Sequence, residues 1–225
     1  MKEIFSGVFK IRGQFATQNL VTGRSVYGEK RVREGENEYR MWDPSRSKPA
    51  AAFFAGLKNF PIKKGCNILY LGIADGTTAS HFSDIIGADG LIIGVDIASQ
   101  PFEKLMRMCE QRENIIPVLA DANHPEKYAE YVDEIGGKVD IIYEDLAQKI
   151  QADILIKNAE RFLKKGGYAI YMVKAPSIDV AAKPEDIFEK EMNKLQKAGF
   201  KVLEMRALDS RFQKDHACIV AQYEK

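Results

Sequence analysis

The stretch NILYLGIADGTTASHFS, residues 67–83, decides how this chain folds. It begins with the apolar run ILYL, breaks at Gly72, and resumes with helical spacing at Ala79 and Phe82. The pattern predicts a buried strand, a tight turn of small residues, and a helix that packs back on the sheet. Because Gly and Ala present almost no side chain, the turn at residues 72–76 lets a ligand approach the backbone closely.

Three kinds of nucleotide site compete for this turn. A P-loop requires a Lys-Ser/Thr pair after the last glycine, and Thr77-Thr78 contains no lysine. A dinucleotide fold requires GxGxxG, and the turn offers only Gly72, Ala74 and Gly76 at alternate positions. This GxAxG spacing suits S-adenosylmethionine, because that ligand has no pyrophosphate to cradle. Thr77 and Thr78 then lie at the helix start, where hydroxyls and free amide hydrogens point outward.

Length and composition restrict the class of protein. The chain has 225 residues, enough for one good core and a small accessory domain. Its 45% hydrophobic and 29% charged residues are ordinary for a soluble globular protein. There is neither an apolar run long enough to span a bilayer nor a signal-peptide segment at the start. The 3 cysteines are odd in number and far apart, so we expect reduced thiols, no metal, and a cytoplasmic protein.

The net charge of +1 conceals an asymmetry along the chain. Residues 1–50 contain 10 lysines and arginines against 6 aspartates and glutamates, whereas the remainder contains 23 against 26. A stand-alone nucleic-acid binder usually has a strongly basic domain. If this chain acts on nucleic acid, we therefore expect another component to neutralise most of the phosphates.

The first 47 residues differ in pattern from the rest. The segments at 5–11 and 25–32 alternate apolar and polar residues between turn signals, which predicts a small antiparallel β domain over residues 1–47, with a lid on the main sheet as the alternative. Prolines and small polar residues indicate a linker at 42–49. A helix is predicted from Ala50 to Leu57, with Pro49 in its first turn, inside a second domain that covers residues 48–225.

From Cys66 onward, strand-like and helix-like segments alternate. Strands are predicted at 68–71, 91–96, 115–121, 139–145, 168–174, 201–208 and 216–223, with Pro117 suggesting an edge. The helices carry apolar stripes through Phe102, Leu105, Met106 and Cys109, through Ile150, Ile154 and Phe162 up to Gly166-Gly167, and through Ile187, Phe188, Met192 and Leu195. No helix separates the last two strands, so they should pair antiparallel. The result is a doubly wound, mostly parallel, seven-stranded Rossmann-like sheet with a C-terminal hairpin, the architecture of S-adenosylmethionine-dependent methyltransferases.

Three acids follow successive predicted strands. Ligands of open α/β sheets bind at the carboxyl ends of the strands, where Asp96, Asp121 and Asp145 should therefore gather. Asp96 stands 20 residues after Gly76, a spacing typical of an acid that accepts hydrogen bonds from ribose hydroxyls. Asp121 and Ala122 would flank the adenine, and Asp145 should lie near the reactive methyl group. Helix capping is the alternative for any one acid, but it does not readily account for three.

Several blocks of the sequence resemble the fibrillarin family, the 2′-O-ribose methyltransferases of box C/D guide-RNA particles. They are WDPSRSKPAAA, YLGIADGTTASHFSDIIG, NIIPVLADANHPEKY, IIYEDLAQ, YMVKAPSID and KDHACIVAQY, in consistent order from about Phe5 to Tyr223. Eukaryotic members carry a Gly/Arg-rich amino-terminal tail, so this chain is similar to the shorter archaeal form. The resemblance implies methyl transfer from S-adenosylmethionine to ribose 2′-hydroxyls of rRNA, and also of tRNA.

The resemblance also implies site residues. Cofactor contacts fall on Thr77, Thr78, Asp96, Ile97, Asp121, Ala122 and Asp145 to Gln148, and the catalytic set falls on Lys48, Asp145, Lys174 and, in fourth place, His216. A ribose hydroxyl is a poor nucleophile until its proton is removed, and a partly desolvated lysine at a strand end suits that task. Lys174 at a strand end is the candidate base, with Asp145 to hold it and Lys48 to engage the phosphate or the hydroxyl, but the sequence does not settle which of the two lysines is the base. A structural role is the alternative for His216.

The family implies partners as well: a Nop-domain scaffold protein, a kink-turn-binding ribosomal-type protein, the box C/D guide RNA and the target RNA, with no membrane. We expect the lone chain to bind RNA poorly and Arg40, Arg46 and Lys48 to assist docking of the target strand. A catalytically inactive structural subunit and a small-molecule O-methyltransferase stay open. An NAD-dependent oxidoreductase would require the complete GxGxxG that is missing.

Overall fold

The computed structural model describes residues 1–225. The strands are β1 (Lys2–Phe5), β2 (Val8–Ile11), β3 (Gln14–Gln18), β4 (Arg31–Glu34), β5 (Asn37–Met41), β6 (Asn67–Leu71), β7 (Leu91–Asp96), β8 (Ile115–Leu119), β9 (Val139–Glu144), β10 (Leu163–Lys174), β11 (Phe200–Ala207) and β12 (His216–Tyr223). The helices are α1 (Lys48–Phe54), α2 (Thr77–Ile86), α3 (Ser99–Cys109), α4 (Ala129–Asp133), α5 (Gln151–Phe162), α6 (Ala175–Ile178) and α7 (Pro184–Lys197), with a short 3-10 helix at Pro125–Lys127. No helix is long and apolar enough to cross a membrane.

The predicted seven-stranded sheet is confirmed. Its strand order is β11-β12-β10-β9-β6-β7-β8, with β10, β9, β6, β7 and β8 running parallel. The two strands β11 and β12 form the predicted antiparallel hairpin, and β12 also pairs antiparallel with β10. Pro117 lies in β8 at the edge of the sheet, where a missing N–H interrupts no ladder. The strand order reverses between β9 and β6, which places a ligand crevice beside the turn after β6.

The N-terminal residues form a five-stranded antiparallel sheet in the order β1-β2-β3-β5-β4. Two details of the prediction were wrong. The segment at 5–11 is divided by a turn at Gly7, and the segment at 25–32 is a loop until Arg31. The loop is held in place because the Glu29 carboxylate accepts the backbone N–H groups of Val26 and Tyr27 at 2.8 to 3.1 Å.

The small sheet shares a hydrophobic core with the large one. Val8 and Trp42 belong to the same buried cluster as Phe53 of α1 and Phe82 of α2. A second cluster covers the other face of the large sheet with α5 and α7. Helix α1 begins at Lys48 instead of Ala50, because Pro49 fits the first turn of a helix. It ends at Phe54 instead of Leu57. The division into domains at residues 47 and 48 stays a prediction.

Two helix predictions need correction. In α3 the buried residues are Leu105 and Met108, whereas Met106 is 48% exposed. Apolar residues lie on both sides of this stripe, so their spacing alone does not determine which face of the helix is turned toward the core. Helix α5 ends at Phe162, and the chain enters β10 at once. The pair Gly166-Gly167 lies inside β10 at a register shift. Between Leu163 and Tyr168 the chain of β10 advances five positions, while the paired strand β9 advances two, from Val139 to Ile141.

Candidate active site

The turn after β6 has a backbone that demands small residues. Gly72, Ala74 and Gly76 all have positive φ, at 84°, 50° and 81°. A Cβ atom at residue 72 would overlap the carbonyl oxygen of Asp145, and one at residue 76 would lie 2.5 Å from Cε of Met108. The alternate small residues of the sequence therefore have a physical cause: they let β9 and α3 approach the turn.

The strand ends that surround this turn are in register. Leu71 of β6 pairs with Glu144 of β9 and with Val95 of β7, and Asp96 pairs with Leu119 of β8. Asp145 follows Glu144 directly, and its N–H donates to the carbonyl of Leu71 at 2.9 Å. The three acids predicted to gather therefore lie along one edge of the sheet.

Asp96 ties the turn to β7. One oxygen of its carboxylate accepts the N–H of Ala74 at 2.8 Å, and the other accepts the N–H of Ala98 at 2.9 Å. Each oxygen keeps a lone pair for a further donor. The next residue, Ile97, is 65% exposed. Past β8, the Asp121 carboxylate accepts the N–H of Asn123 at 2.9 Å.

The catalytic candidates Lys48, Asp145 and Lys174 line one cavity. This cavity has a volume of about 250 Å³, and its wall includes the turn residues Gly72, Ala74, Thr77 and Thr78. The Lys48 ammonium contacts both carboxylate oxygens of Asp145, at 2.7 and 2.8 Å. The side chains of the two are 19% and 17% exposed, so the pair is partly desolvated but open to the cavity.

The partner of Asp145 differs from our expectation. Asp145 was predicted to hold Lys174, but it holds Lys48, and the Lys174 ammonium has neither a hydrogen bond nor an ion pair. Lys48 comes from the first turn of α1, 97 positions earlier in the chain. Only the folding of α1 against the strand ends brings the two together, so spacing in the sequence could not have revealed the pair.

His216 lies beside this cavity rather than in its wall. It pairs across the sheet with Lys174, and its Nδ1 is 2.6 Å from the carbonyl oxygen of Lys214. A carbonyl can only accept, so Nδ1 carries the hydrogen and Nε2 is left as an acceptor. Burial lowers the pKa of His216, and the positive charge of Lys48 lowers it further, so the ring is neutral at physiological pH.

Gln151 holds the backbone of Lys174 from behind. Its side-chain oxygen accepts the N–H of Lys174 at 3.1 Å, and its amide nitrogen donates to the carbonyls of Lys174 at 3.3 Å and of Gln148 at 2.8 Å. Gln151 is completely buried. Sequence reasoning missed this residue, because a glutamine in the first turn of a helix gives no signal of its contact with a distant strand.

A chain of hydrogen bonds connects the small sheet to the turn. The indole N–H of Trp42 donates to Oγ of Ser47 at 2.7 Å, and that hydroxyl lies 2.8 Å from the hydroxyl of Thr78. All three residues are buried. The predicted linker at 42–49 is therefore a fixed wall of the site, and it presents Lys48 to Asp145.

Arg40 was predicted to assist RNA docking, and this prediction is wrong. Its side chain is fully buried and forms ion pairs with Glu29 and Asp84. It also donates to the carbonyl and to the hydroxyl of Ser80 at 3.2 and 2.8 Å. Arg46 and Lys48 differ from it, because both line the cavity.

The predicted residues thus form two groups around one turn. Those that share the cavity wall are Lys48, Gly72, Ala74, Thr77, Thr78, Asp145 and Lys174. Those that lie outside that wall are Gly76, Asp96, Ile97, Asp121, Ala122, Gln148 and His216. Three members of the second group are still near, because Gly76 belongs to the turn, Asp96 accepts a hydrogen bond from its Ala74, and His216 pairs with Lys174.

A doubly wound sheet with this turn after its first parallel strand and a hairpin at its end defines a methyltransferase-type α/β protein. The family model described as Fibrillarin matches residues 1–225. The chain belongs to the fibrillarin family. A fibrillarin-like rRNA/tRNA 2′-O-methyltransferase from Thermococcus sibiricus is 47% identical over 226 residues, which cover 98% of this chain and 97% of the relative.

Two solved structures are similar over nearly the whole chain. Fibrillarin from Aeropyrum pernix, in complex with natively bound S-adenosyl-L-methionine, is 45% identical with a TM-score of 0.85, covering 95% of this chain and 92% of that one. Fibrillarin in a complex with Nop5p is 40% identical with a TM-score of 0.88, covering 100% of both chains. These similarities confirm the family resemblance and the fold predicted from the sequence.

Proposed function

We propose that this chain transfers the methyl group of S-adenosylmethionine to ribose 2′-hydroxyls of rRNA and tRNA nucleotides that a box C/D guide RNA selects. One observation carries the proposal. The Lys48–Asp145 ion pair and the unpaired Lys174 open into the same cavity as the small-residue turn. The name shared by the relatives is consistent with this chemistry.

The residues around the turn fit S-adenosylmethionine. A side chain at residue 72 would collide with the backbone of Asp145, so only glycine fits at this position of the turn. Asp96 offers carboxylate lone pairs to ribose hydroxyls, and the exposed Ile97 offers an apolar surface to the adenine. Asp121 and Ala122 follow the neighbouring strand, while Thr77, Thr78 and Gln148 approach from the helix start and the loop after β9.

When bound, S-adenosylmethionine supplies a methyl group carried on a positively charged sulfur. Lys48 fixes the carboxylate of Asp145 in the cavity, where its negative charge complements a cation. Lys174, which no acid neutralises, contacts the ribose hydroxyl and in its free-amine form takes the hydroxyl proton. The oxygen–carbon bond forms as the carbon–sulfur bond breaks in line, so positioning supplies much of the acceleration.

His216 has a supporting role in this proposal. As a neutral ring it adds no positive charge beside Lys48 and Lys174, and its Nε2 can accept a hydrogen bond from the ammonium of either lysine. A His216→Phe variant removes this acceptor and keeps an aromatic ring. We expect a smaller loss of turnover from this variant than from the loss of Lys174.

The proposed partners are a Nop-domain scaffold protein, a kink-turn-binding ribosomal-type protein and the guide RNA. A similar fibrillarin forms a complex with Nop5p, which supports the scaffold. The near-neutral charge of the chain supports the others, because +1 provides too few cations for strong phosphate binding by the chain alone. Gel-shift titration of the lone chain at physiological salt tests this dependence, and tight guide-independent binding would contradict it.

The central experiment reconstitutes the particle with labelled S-adenosylmethionine, target RNA and either a matched or a scrambled guide. We expect label in one 2′-O-methyl nucleotide, and only with the matched guide. Label that goes instead to small-molecule acceptors, or no transfer at all, would contradict the proposal. Calorimetry of Asp96→Ala, with the exposed Asp186→Ala as control, tests the cofactor site, and we expect weaker binding of S-adenosylmethionine by the first variant alone.

A further inference from the structure

Three clefts meet at Arg46. One is the active-site cavity, the second has a volume of about 460 Å³ and reaches the start of α3, and the third has about 450 Å³ and lies between α3 and the loop at 21–27. Asp75 and Thr77 also line all three. The clefts therefore form one continuous depression, which we name the α3 groove, and it leads from the reacting lysine along the helix.

Four of the cations that line the α3 groove have no acidic partner, unlike Lys48 and the buried Arg112, which pair with Asp145 and Asp84. Arg24, Arg46, Lys104 and Arg107 are all exposed, and none of them forms an ion pair. The single carboxylate in the two larger clefts is that of Asp75, which accepts the N–H of Thr77 at 3.1 Å and so serves the turn. In a chain whose net charge is +1, this is a local excess of positive charge.

The side of helix α3 that lines the groove carries no acid. Gln100, Lys104 and Arg107 of α3 and Gln111, just past its end, stand at i, i+4, i+7 and i+11, and all four line the groove. The acids Glu103 and Glu110 line neither of the two larger clefts. Arg107 is four residues after Glu103, a spacing that permits an ion pair, yet it forms none. The groove face of α3 is therefore a row of hydrogen-bond donors without acids.

We propose that the α3 groove binds the phosphates of the RNA strand that is methylated, and that its four cations set which ribose reaches Lys174. The proposal rests on the function proposed above. Guanidinium and ammonium groups without carboxylate partners suit phosphate oxygens. Contacts to phosphates fix the register of a strand without reading its bases, which suits an enzyme whose target is chosen by a separate guide. Arg46, over the ring of Tyr27 at 5.6 Å, stands at the entrance to the cavity.

The test uses the reconstituted particle and the triple variant Arg24→Gln, Lys104→Gln, Arg107→Gln. The matched control is Lys190→Gln, Lys197→Gln, Lys201→Gln, three exposed lysines of α7 and β11 that form no ion pairs and line none of the three clefts. The measured quantities are KM for target RNA, kcat, and the dependence of 1/KM on salt. A charge-preserving variant, Arg24→Lys, Arg107→Lys, separates loss of charge from loss of structure.

We expect the glutamine variant to raise KM for RNA at least tenfold with little change in kcat. Its log–log salt slope should fall by about 2, since each contact to a single strand contributes roughly 0.7. The lysine variant should retain the slope. Three results would overturn the proposal: a KM and slope equal to those of the control, a fall in kcat alone, or lost binding of the scaffold protein with RNA binding intact. The last result would assign the groove to an acidic protein partner.

The outcomes for the groove and for the proposed function are distinguishable. If the wild-type particle methylates RNA and the triple variant behaves like its control, the groove proposal alone fails. If the wild-type particle transfers no methyl group to RNA, the function proposed above fails, and the groove proposal fails with it.

Discussion

Two clusters of charged side chains in this protein contain similar residue types but differ in how completely the charges are paired. Around Asp84, the guanidinium groups of Arg40 and Arg112 each meet a carboxylate oxygen, at 2.8 and 2.7 Å, and all three side chains are at most 2% exposed. Around Asp145, one lysine is paired and the second, Lys174, has no acid. The first cluster joins the small sheet to α2, while the second leaves one ammonium group without an acid at the cavity.

The difference explains why the two clusters should respond oppositely to mutation. A fully paired, buried network leaves an uncompensated charge when one member is removed, and that is costly for stability. A partly open cluster with one unpaired member can lose that member with little effect on folding. Four measurements test or refine this contrast.

The largest effect should come from Lys174→Ala. We expect methyl transfer in the reconstituted particle to fall by about 10²- to 10⁴-fold, the usual contribution of a positioned acid–base group, while Tm stays close to that of the wild type. Lys165→Ala is the control, because Lys165 is an exposed lysine near the other end of the same strand. Near-normal turnover of the Lys174 variant would remove it from the catalytic set and erase the contrast.

Arg40→Met should have the opposite profile. We expect the free energy of unfolding to fall by about 3–5 kcal/mol, because Glu29 and Asp84 are left as buried carboxylates without this guanidinium. Arg33→Met, an exposed residue of β4, should stay within about 0.5 kcal/mol. Denaturant unfolding provides the measurement. A loss of turnover at a temperature where the Arg40 variant is folded would show that this cluster also serves the reaction.

Gln151→Leu should affect the site through the backbone of Lys174. The variant loses three hydrogen bonds to the peptide groups of Lys174 and Gln148, so we expect kcat to fall by about tenfold, with a smaller change in KM. Gln151→Glu keeps an acceptor for the N–H of Lys174 and should recover part of the loss. The exposed Gln196→Leu is the control. A lower Tm with unchanged kcat would limit Gln151 to a structural role.

The smallest effect concerns Glu144, the neighbour of Asp145. Both oxygens of Glu144 are buried without a partner, and burial raises the pKa of its carboxyl well above the ordinary value. Near neutral pH the folded state therefore binds a proton that the unfolded state has released, so stability falls as pH rises above about 4.5. Glu144→Gln does not titrate, and its Tm relative to wild type should increase from pH 5 to pH 9. An equal difference at every pH would contradict this.

The exposed Glu134→Gln is the control for the pH series, because its side chain is in solvent and its Tm difference should be small at every pH. The contrast within the pair 144–145 then becomes measurable. Adjacent residues of one strand end point to opposite faces of the sheet. The carboxylate of Asp145 meets a lysine at the cavity, whereas that of Glu144 is buried without a hydrogen-bond partner.

How much of the fold and the site the sequence could predict depends on whether each feature is set by neighbouring residues or by contacts between distant parts of the chain. The turn at 72–76, the succession of strands and helices along the chain and the three acids after the strands follow from local patterns and from the geometry of parallel sheets, and the structure places them as expected. The pairing of Lys48 with Asp145 and the burial of Arg40 depend on how α1 and the small sheet dock, and no local pattern encodes that docking.

Glycine and methionine positions show the same limit within single elements. Gly166-Gly167 indicates an interruption, but the same signal fits a helix end and a bulge, and the register of β10 against β9 decides for the bulge. In α3, Met106 and Met108 are equally apolar in sequence, and the packing of the helix against the turn and the sheet buries Met108 and leaves Met106 exposed. Here tertiary packing determines what local preference leaves open.

The hydrogen bonds between Trp42, Ser47 and Thr78 have a practical consequence. Trp42 is the only tryptophan of the chain, and its indole ring stacks on His81 with centroids 4.6 Å apart. Its N–H donates to the hydroxyl of Ser47, the residue directly before Lys48. The same hydroxyl contacts Thr78 in the first turn of α2. Indole emission is sensitive to its hydrogen bonding and its surroundings. Trp42 is therefore an intrinsic fluorophore that is linked through Ser47 to Thr78 in the wall of the active-site cavity. Titrations and stopped-flow traces can follow events at the turn without an attached label.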